Sequence, residues 1–230
     1  MKVLISCLVW DNIDSRIVES HKKVTEHFGI PVTYFYENTQ HGEWMDRIYK
    51  TYTEPDVYGF LDIDCVPIKK DALRQSLDLV KKGYLVGPAQ ATNCIRERYH
   101  IFASPAFFFI SKDMFHKIGA PSTLNNTISD TNQELTRHAE KQLLPYRYWL
   151  PTKFERVPRE GIWRLSGSGY YGIGTVYDND LIYHLYQSRF GTNAQLFEER
   201  CNQIINGTFD SSKFYKSTEE YRGVLPIAEE

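Results

Sequence analysis

Short apolar runs alternate with longer stretches of helical periodicity through the first ninety or so positions, and that alternation predicts strands each followed by a helix. The first strand runs from Lys2 to Trp10. A helix follows in which Ile13, Ile17, His21, Val24 and Phe28 recur at spacings of four, four, three and four, one face of a 3.6-residue repeat. Gly29 closes it and Pro31 opens the next strand, Val32 to Tyr36. A second helix carries Trp44, Met45, Ile48 and Tyr52 on one side. Val57-Tyr58-Gly59-Phe60-Leu61 is apolar enough to be buried on both faces, as strands of a parallel sheet are. It runs into Asp62-Ile63-Asp64, and Pro67 is expected to stop it. Leu73, Leu77 and Val80 mark a helix from Lys69 to Lys82, Gly83 ends it, and Tyr84 to Val86 form another strand. This order predicts an α/β fold with a right-handed, mostly parallel sheet flanked by helices. Ligands of such sheets bind outside the carboxyl ends of the strands, where residues 10–12 and 62–64 both fall.

The second half changes character. Ala106 to Ile110 reads as one continuous buried strand, with Ser111 as N-cap and Gly119 as C-cap of a short helix. Asp130 with Gln133 three residues on resembles a capping box for a helix through Leu135 and Ala139 to Leu143. Asp178 is expected to cap a helix through Leu181, Ile182 and Leu185. Gly161 to Gly174 is glycine-rich and aromatic, more like an active-site loop than a linker. No repeat or boundary divides the 230 residues, so one domain spanning 1–230 is expected.

Composition narrows the class. Hydrophobic content of 42% with 24% charged residues is ordinary for a soluble globular protein. No run of about 18 apolar residues predicts a membrane span, and Met1 leads straight into a strand, so a cytoplasmic protein is expected. Cys7, Cys65, Cys94 and Cys201 are widely spaced without C-x-x-C, which favours free buried thiols over zinc or disulfides. The net charge of −2 gives no global case for nucleic acid. Residues 137–164 nevertheless hold seven basic against three acidic side chains, with Tyr146, Tyr148, Trp149, Phe154 and Trp163 among them. That segment reads either as a solvated loop or as a surface for a polyanion.

Asp62-Ile63-Asp64 carries the chemistry. In an extended strand residues i and i+2 project to one side, so the two carboxylates are expected to lean together. Hard oxygen ligands suit Mg²⁺ or Mn²⁺. The plain alternative has one aspartate capping the following helix and the other solvated. F-L-D-I-D after a nucleotide-type first half, then Ser104-Pro105-Ala106-Phe107-Phe108-Phe109-Ile110-Ser111-Lys112 and the late Ile182-Tyr183-His184, resemble metal-dependent glycosyltransferases of the GT-A fold. The resemblance covers roughly residues 2 to 190. It implies a GT-A-like, Rossmann-type sheet and an acidic pair holding Mn²⁺ or Mg²⁺ against a nucleotide-sugar diphosphate, a UDP-sugar first among the donors. His184 is the third-ligand candidate by the same resemblance, against the alternative of a hydrogen-bonded core histidine; Asp180, four residues earlier, is expected to orient it.

Further roles follow from that implied reaction. A departing nucleoside diphosphate gathers negative charge, which a metal and nearby cations stabilise. Arg47 and Lys50, before the acidic strand, and Arg189, after His184, are the candidate cations, each otherwise a surface ion pair. Val9, Trp10 and Asp11 stand where this fold seats the nucleotide base, although Asp11 equally suits a helix cap. Asp130 and Glu134 are candidate acceptor bases, with capping the alternative for Asp130. The acceptor is open among a saccharide, a small molecule, a protein and a hydroxylated base in DNA. A metal-dependent nucleotidyltransferase and a non-catalytic nucleotide- or DNA-binding module are the rivals. No glycine-rich, lysine-containing loop follows the first strand, which weighs against the former.

Overall fold

The computed structural model describes residues 1–93, 100–156 and 162–218. In chain order its elements are β1 (Val3–Val9), α1 (Ser15–His27), β2 (Val32–Tyr36), α2 (His41–Thr51), β3 (Val57–Leu61), β4 (Cys65–Pro67), α3 (Ala72–Lys81), β5 (Leu85–Ala91), β6 (Ile101–Ala103), β7 (Phe107–Ser111), α4 (Lys112–Lys117), α5 (Gln133–Lys141), β8 (Tyr146–Trp149), β9 (Pro151–Arg156), β10 (Ile162–Arg164), β11 (Tyr170–Tyr177), β12 (Ile182–His184), α6 (Asn193–Ile205) and β13 (Tyr215–Lys216).

The first sheet has the order β2-β1-β3-β7-β5-β6, with β8 also paired to β5. β1 is parallel to β2 and β3, and β8 is parallel to β5. β7 runs antiparallel between β3 and β5, so those two strands share one direction. The sheet is therefore mixed but mostly parallel, with helices on its faces. β3 is buried along its whole length, and Phe107, Phe108 and Phe109 of β7 are fully buried beside it, each contributing roughly 1.5–3 kcal/mol. α1 starts at Asp14, whose side chain accepts from the Arg16 amide, and ends before Gly29 at φ +68°; Ser111 caps α4 by accepting from the Met114 amide.

A second sheet, β13-β9-β11-β12-β4 with β10 on β11, is antiparallel throughout. It corrects three expectations. Pro67 does not stop the acidic strand. It lies in β4, at the edge of the second sheet, where a residue without an amide proton is tolerated. His184 is on a strand, because Asp178, Asn179 and Asp180 all take positive φ (46°, 55° and 65°) and turn β11 back into β12 instead of opening a helix. Asp180 consequently does not share a helical face with His184; it accepts from the Ser211 hydroxyl at 2.6 Å and faces Lys153. The helix expected from Asp130 begins at Gln133 with Asn132 as its N-cap, and the Gln133 side chain accepts from the Asp130 amide at 2.7 Å.

The first turn of α2 is held by a strap, residues 122–124. Thr123 Oγ1 donates to the Gly42 carbonyl at 2.8 Å, and the Thr123 amide and Ser122 hydroxyl donate to Asp46. A Cβ on Gly42 would stand 2.7 Å from the Thr123 oxygen and the Leu124 Cα, so only glycine admits the strap.

Candidate functional site

Asp62 and Asp64 are not strand residues. β3 ends at Leu61, and the chain turns at Ile63-Asp64, with the Cys65 amide donating to the Asp62 carbonyl at 3.0 Å. The pair is thus gathered by a turn between β3 and β4, and alternation along a strand is not what brings it together. The turn lies at the carboxyl end of β3, and Ile63 is buried beneath it.

Strand register delivers the third group. β4 pairs with β12 so that Cys65 opposes His184, and the Leu185 amide donates to the Asp64 carbonyl at 2.9 Å. The His184 Nε2 lies 3.4 Å from Asp64 and 3.9 Å from Asp62, and the imidazole is buried. One ligand atom each from Asp62, Asp64 and His184 falls within 4.8 Å of the others. Two carboxylate oxygens and one imidazole nitrogen converging in this way fit a divalent cation. Nε2 is the ring nitrogen that faces the acidic pair, and the His184 Nδ1 is buried without a hydrogen-bond partner among the described residues.

The two carboxylates differ. Burial raises the Asp62 pKa above its ordinary value; His41 and His184 pull it down and the Asp64 charge adds to the rise. Burial also pushes Asp64 upward, but hydrogen bonding from His184 and Ser188 outweighs it and holds the group below its ordinary value. Behind them Cys7 and Cys65 are buried free thiols whose pKa values burial raises well up, with the aspartates adding to the rise. They stay protonated and unfit as ligands.

The triad floors a cleft of about 300 Å³ lined by Leu8, Trp10, Ile13, His41, Ile63, Gln90 and residues 186–190. The Trp10 indole donates to the Thr39 carbonyl at 2.8 Å, and the Arg189 guanidinium lies 4.8 Å from its ring centre, a cation–π contact forming one lip. Tyr186 lies against His184, ring centres 3.9 Å apart. A larger groove of about 410 Å³ sits at the opposite, amino-terminal end of β1 and β3, lined by Met1, Asp56, Lys112 and their neighbours. It holds no cluster of metal-ligating side chains among the described residues.

The other sequence candidates lie elsewhere. Val9 is buried in the core, and Asp11 is bound to Asn38. The helix cap is Asp14, so Asp11 does not cap α1. Arg47 pairs with Glu37 and Lys50 is exposed, both outside the cleft lining because that stretch of α2 turns away from it. Asp130 accepts from Asn93, and Glu134 accepts from Ser129 beside Arg137 and His138; neither lines the cleft. In the basic segment Trp149 and Phe154 are core residues, Trp163 stacks on Tyr171 and the Tyr148 hydroxyl donates to the Ile101 carbonyl. Trp149 and Phe154 are therefore closed to stacking bases, while Tyr146, Tyr148 and Trp163 are half-buried. Arg159 lies outside the described residues. His41, Tyr186, Ser188 and Gln90 escaped the sequence reading, since no spacing rule marks a residue brought in by a helix start, a loop or, for Gln90, the end of β5.

No family model matches this chain, and no curated protein does. Among solved structures, A197 from STIV is similar at 13% identity over 81% of this chain and 95% of that one, with a TM-score of 0.45. The catalytic domain of Drosophila beta1,4-galactosyltransferase 7, solved with xylobiose, is similar at 10% identity over 86% and 80%, with a TM-score of 0.46. A glycosyltransferase involved in glycosylation of the major capsid of PBCV-1 is similar at 11% identity over 87% and 99%, with a TM-score of 0.43. This chain's own strand order gives a Rossmann-type, mostly parallel sheet flanked by helices, with an Asp-Asp-His triad at its carboxyl edge.

Proposed function

We propose that the chain is a metal-dependent glycosyltransferase that moves a sugar from a nucleotide-sugar to a hydroxyl acceptor. The observation that carries this reading is the convergence of Asp62, Asp64 and His184 within 4.8 Å at the floor of the Trp10–Arg189 cleft. In such a transfer the bond from the anomeric carbon to the diphosphate oxygen breaks, the acceptor oxygen takes that carbon, and the hydroxyl proton leaves to a base. A Mn²⁺ or Mg²⁺ ion held by the three side chains supplies Lewis-acid stabilisation of the departing diphosphate. Asp64, kept ionised by His184 and Ser188, fixes one ligand position, and Trp10 with Arg189 offers a flat, cationic wall for the nucleotide. A UDP-sugar is the first donor to try. Asp130 and Glu134 are assigned no step, and nucleic acid is not proposed as acceptor, because two of the aromatic residues that would have met it, Trp149 and Phe154, are buried in the core.

The test is release of free sugar and nucleotide from UDP-, GDP-, CMP- and dTDP-sugars with Mn²⁺, with Mg²⁺ and with chelator. At least one donor should turn over with metal only, and Asp64→Asn should lower that rate by roughly 10²–10³-fold while the protein stays folded. Metal-independent turnover, or full activity in Asp64→Asn, would refute the assignment. Pyrophosphate release from a nucleoside triphosphate and a sugar phosphate would point instead to nucleotidyl transfer.

A further inference from the structure

Asp62 stands between two histidines. Its Oδ2 faces the His184 Nε2 at 3.9 Å, and its Oδ1 faces the His41 Nε2 at 3.6 Å. The His41 Nε2 is buried and has no hydrogen-bond partner among the described residues, although the imidazole as a whole is 19% exposed and lines the cleft. An unpaired polar atom in that position is rare without a purpose. The ring is fixed from several sides. It lies tilted on Trp44 with ring centres 5.4 Å apart, and edge-on to Trp10 at 6.5 Å. It opens α2, whose first turn is clamped through Gly42 and Asp46 by the 122–124 strap. His41 is not one of the three groups whose ligand atoms converge.

We infer that His41 is a positioning residue of the cation site: its Nε2–H donates to the outer oxygen of Asp62 and so aims the other oxygen at the ion. The inference rests on the cation site proposed above. The gap of 3.6 Å exceeds a hydrogen bond by a few tenths of an ångström. Rotation of the Asp62 carboxylate toward an ion shared with Asp64 and His184 is the motion that sets which oxygen His41 holds. A carboxylate ligand restrained on its free oxygen loses less freedom on binding metal, and groups that restrain ligands in this way typically matter ten- to a hundred-fold in affinity.

The experiment is titration of the full chain with Mn²⁺ alone, followed by the electron paramagnetic resonance of free ion and by calorimetry, for the wild type, His41→Phe, His41→Gln and His41→Ala. Phenylalanine keeps the packing against Trp44 and Trp10 but has no donor; glutamine places an amide N–H near the Nε2 position. Phe and Ala should weaken binding about ten- to a hundred-fold, and Gln should stay within about threefold of wild type, with thermal melts showing folded protein in each case. Affinity within threefold of wild type in His41→Phe overturns the inference, and so does a Gln variant as weak as Phe, since the ring and not the donor would then matter. A wild type that binds no Mn²⁺ overturns the cation site itself, an outcome distinct from either.

Discussion

Asp62 and Asp64 are two residues apart, yet their environments oppose each other. Asp62 has its pKa raised by burial, so its ionised form is disfavoured in the folded chain without a cation. Asp64 has its pKa lowered on balance by His184 and Ser188, so its charge stabilises the fold. For Asp64 the sign follows directly: its contribution is present above the unfolded carboxylate pKa and lost as pH falls through the lowered one. For Asp62 the sign is reversed, and at neutral pH the charge is a cost. Asp62→Asn should therefore raise the melting temperature of metal-free protein, while Asp64→Asn lowers it. Both should lose Mn²⁺ binding. Melting in chelator at pH 7 checks the pair, and a fall for Asp62→Asn would contradict the account of its burial. A site residue that costs stability when empty is what a binding function leaves behind.

At the scale of elements, periodicity served well where one principle acted alone. β2 falls where expected, β3 stops at Leu61 short of the acidic pair it was expected to carry, and α1, α2 and α3 differ from expectation only at their ends. It failed at the acidic pair and at His184, where tertiary pairing overrode local pattern. A three-residue strand such as β12 has too few positions to display a period, and its positive-φ turn was mistaken for a helix cap. That Asp62, Asp64 and His184 belong to one site was readable only through family resemblance, because their meeting depends on the β4–β12 register. His21 shows the same limit: it fits the apolar face of α1 by spacing, but is a fully buried polar group bonded to the Tyr34 hydroxyl at 2.8 Å. Burial lowers its pKa to about 4. The unfolded chain takes up that proton near 6.5 while the folded one refuses it, so stability should drop as pH falls from about 6.5 to 4, by on the order of 3 kcal/mol in total. Urea unfolding at pH 7 and pH 5 should show part of this loss in wild type and less in His21→Gln. Equal losses in both would locate the acid sensitivity elsewhere.

On the scale of the whole molecule, the cleft is a product of two sheets. The mostly parallel sheet ends in the Asp62–Asp64 turn and the Trp10 loop; the antiparallel sheet brings His184 and then the segment 186–190 with Arg189. Neither sheet holds the site alone. A ligand that bridges the triad and the Trp10–Arg189 lip therefore ties the sheets together and stabilises the chain by mass action. With a nucleoside diphosphate and Mn²⁺ at about 100 times the dissociation constant, the gain is about 2.7 kcal/mol, or about 5–10 °C in melting temperature. The two halves of the site can be separated by mutation. Trp10→Ala should keep the smaller shift given by Mn²⁺ alone and lose most of the additional shift given by the nucleotide, because the base wall goes while the triad stays. Asp64→Asn should lose both, since the diphosphate is held through the ion. The reverse pattern, with nucleotide binding intact in Trp10→Ala and metal binding gone, would mean that the indole supports His41 and the acidic turn and does not meet the nucleotide.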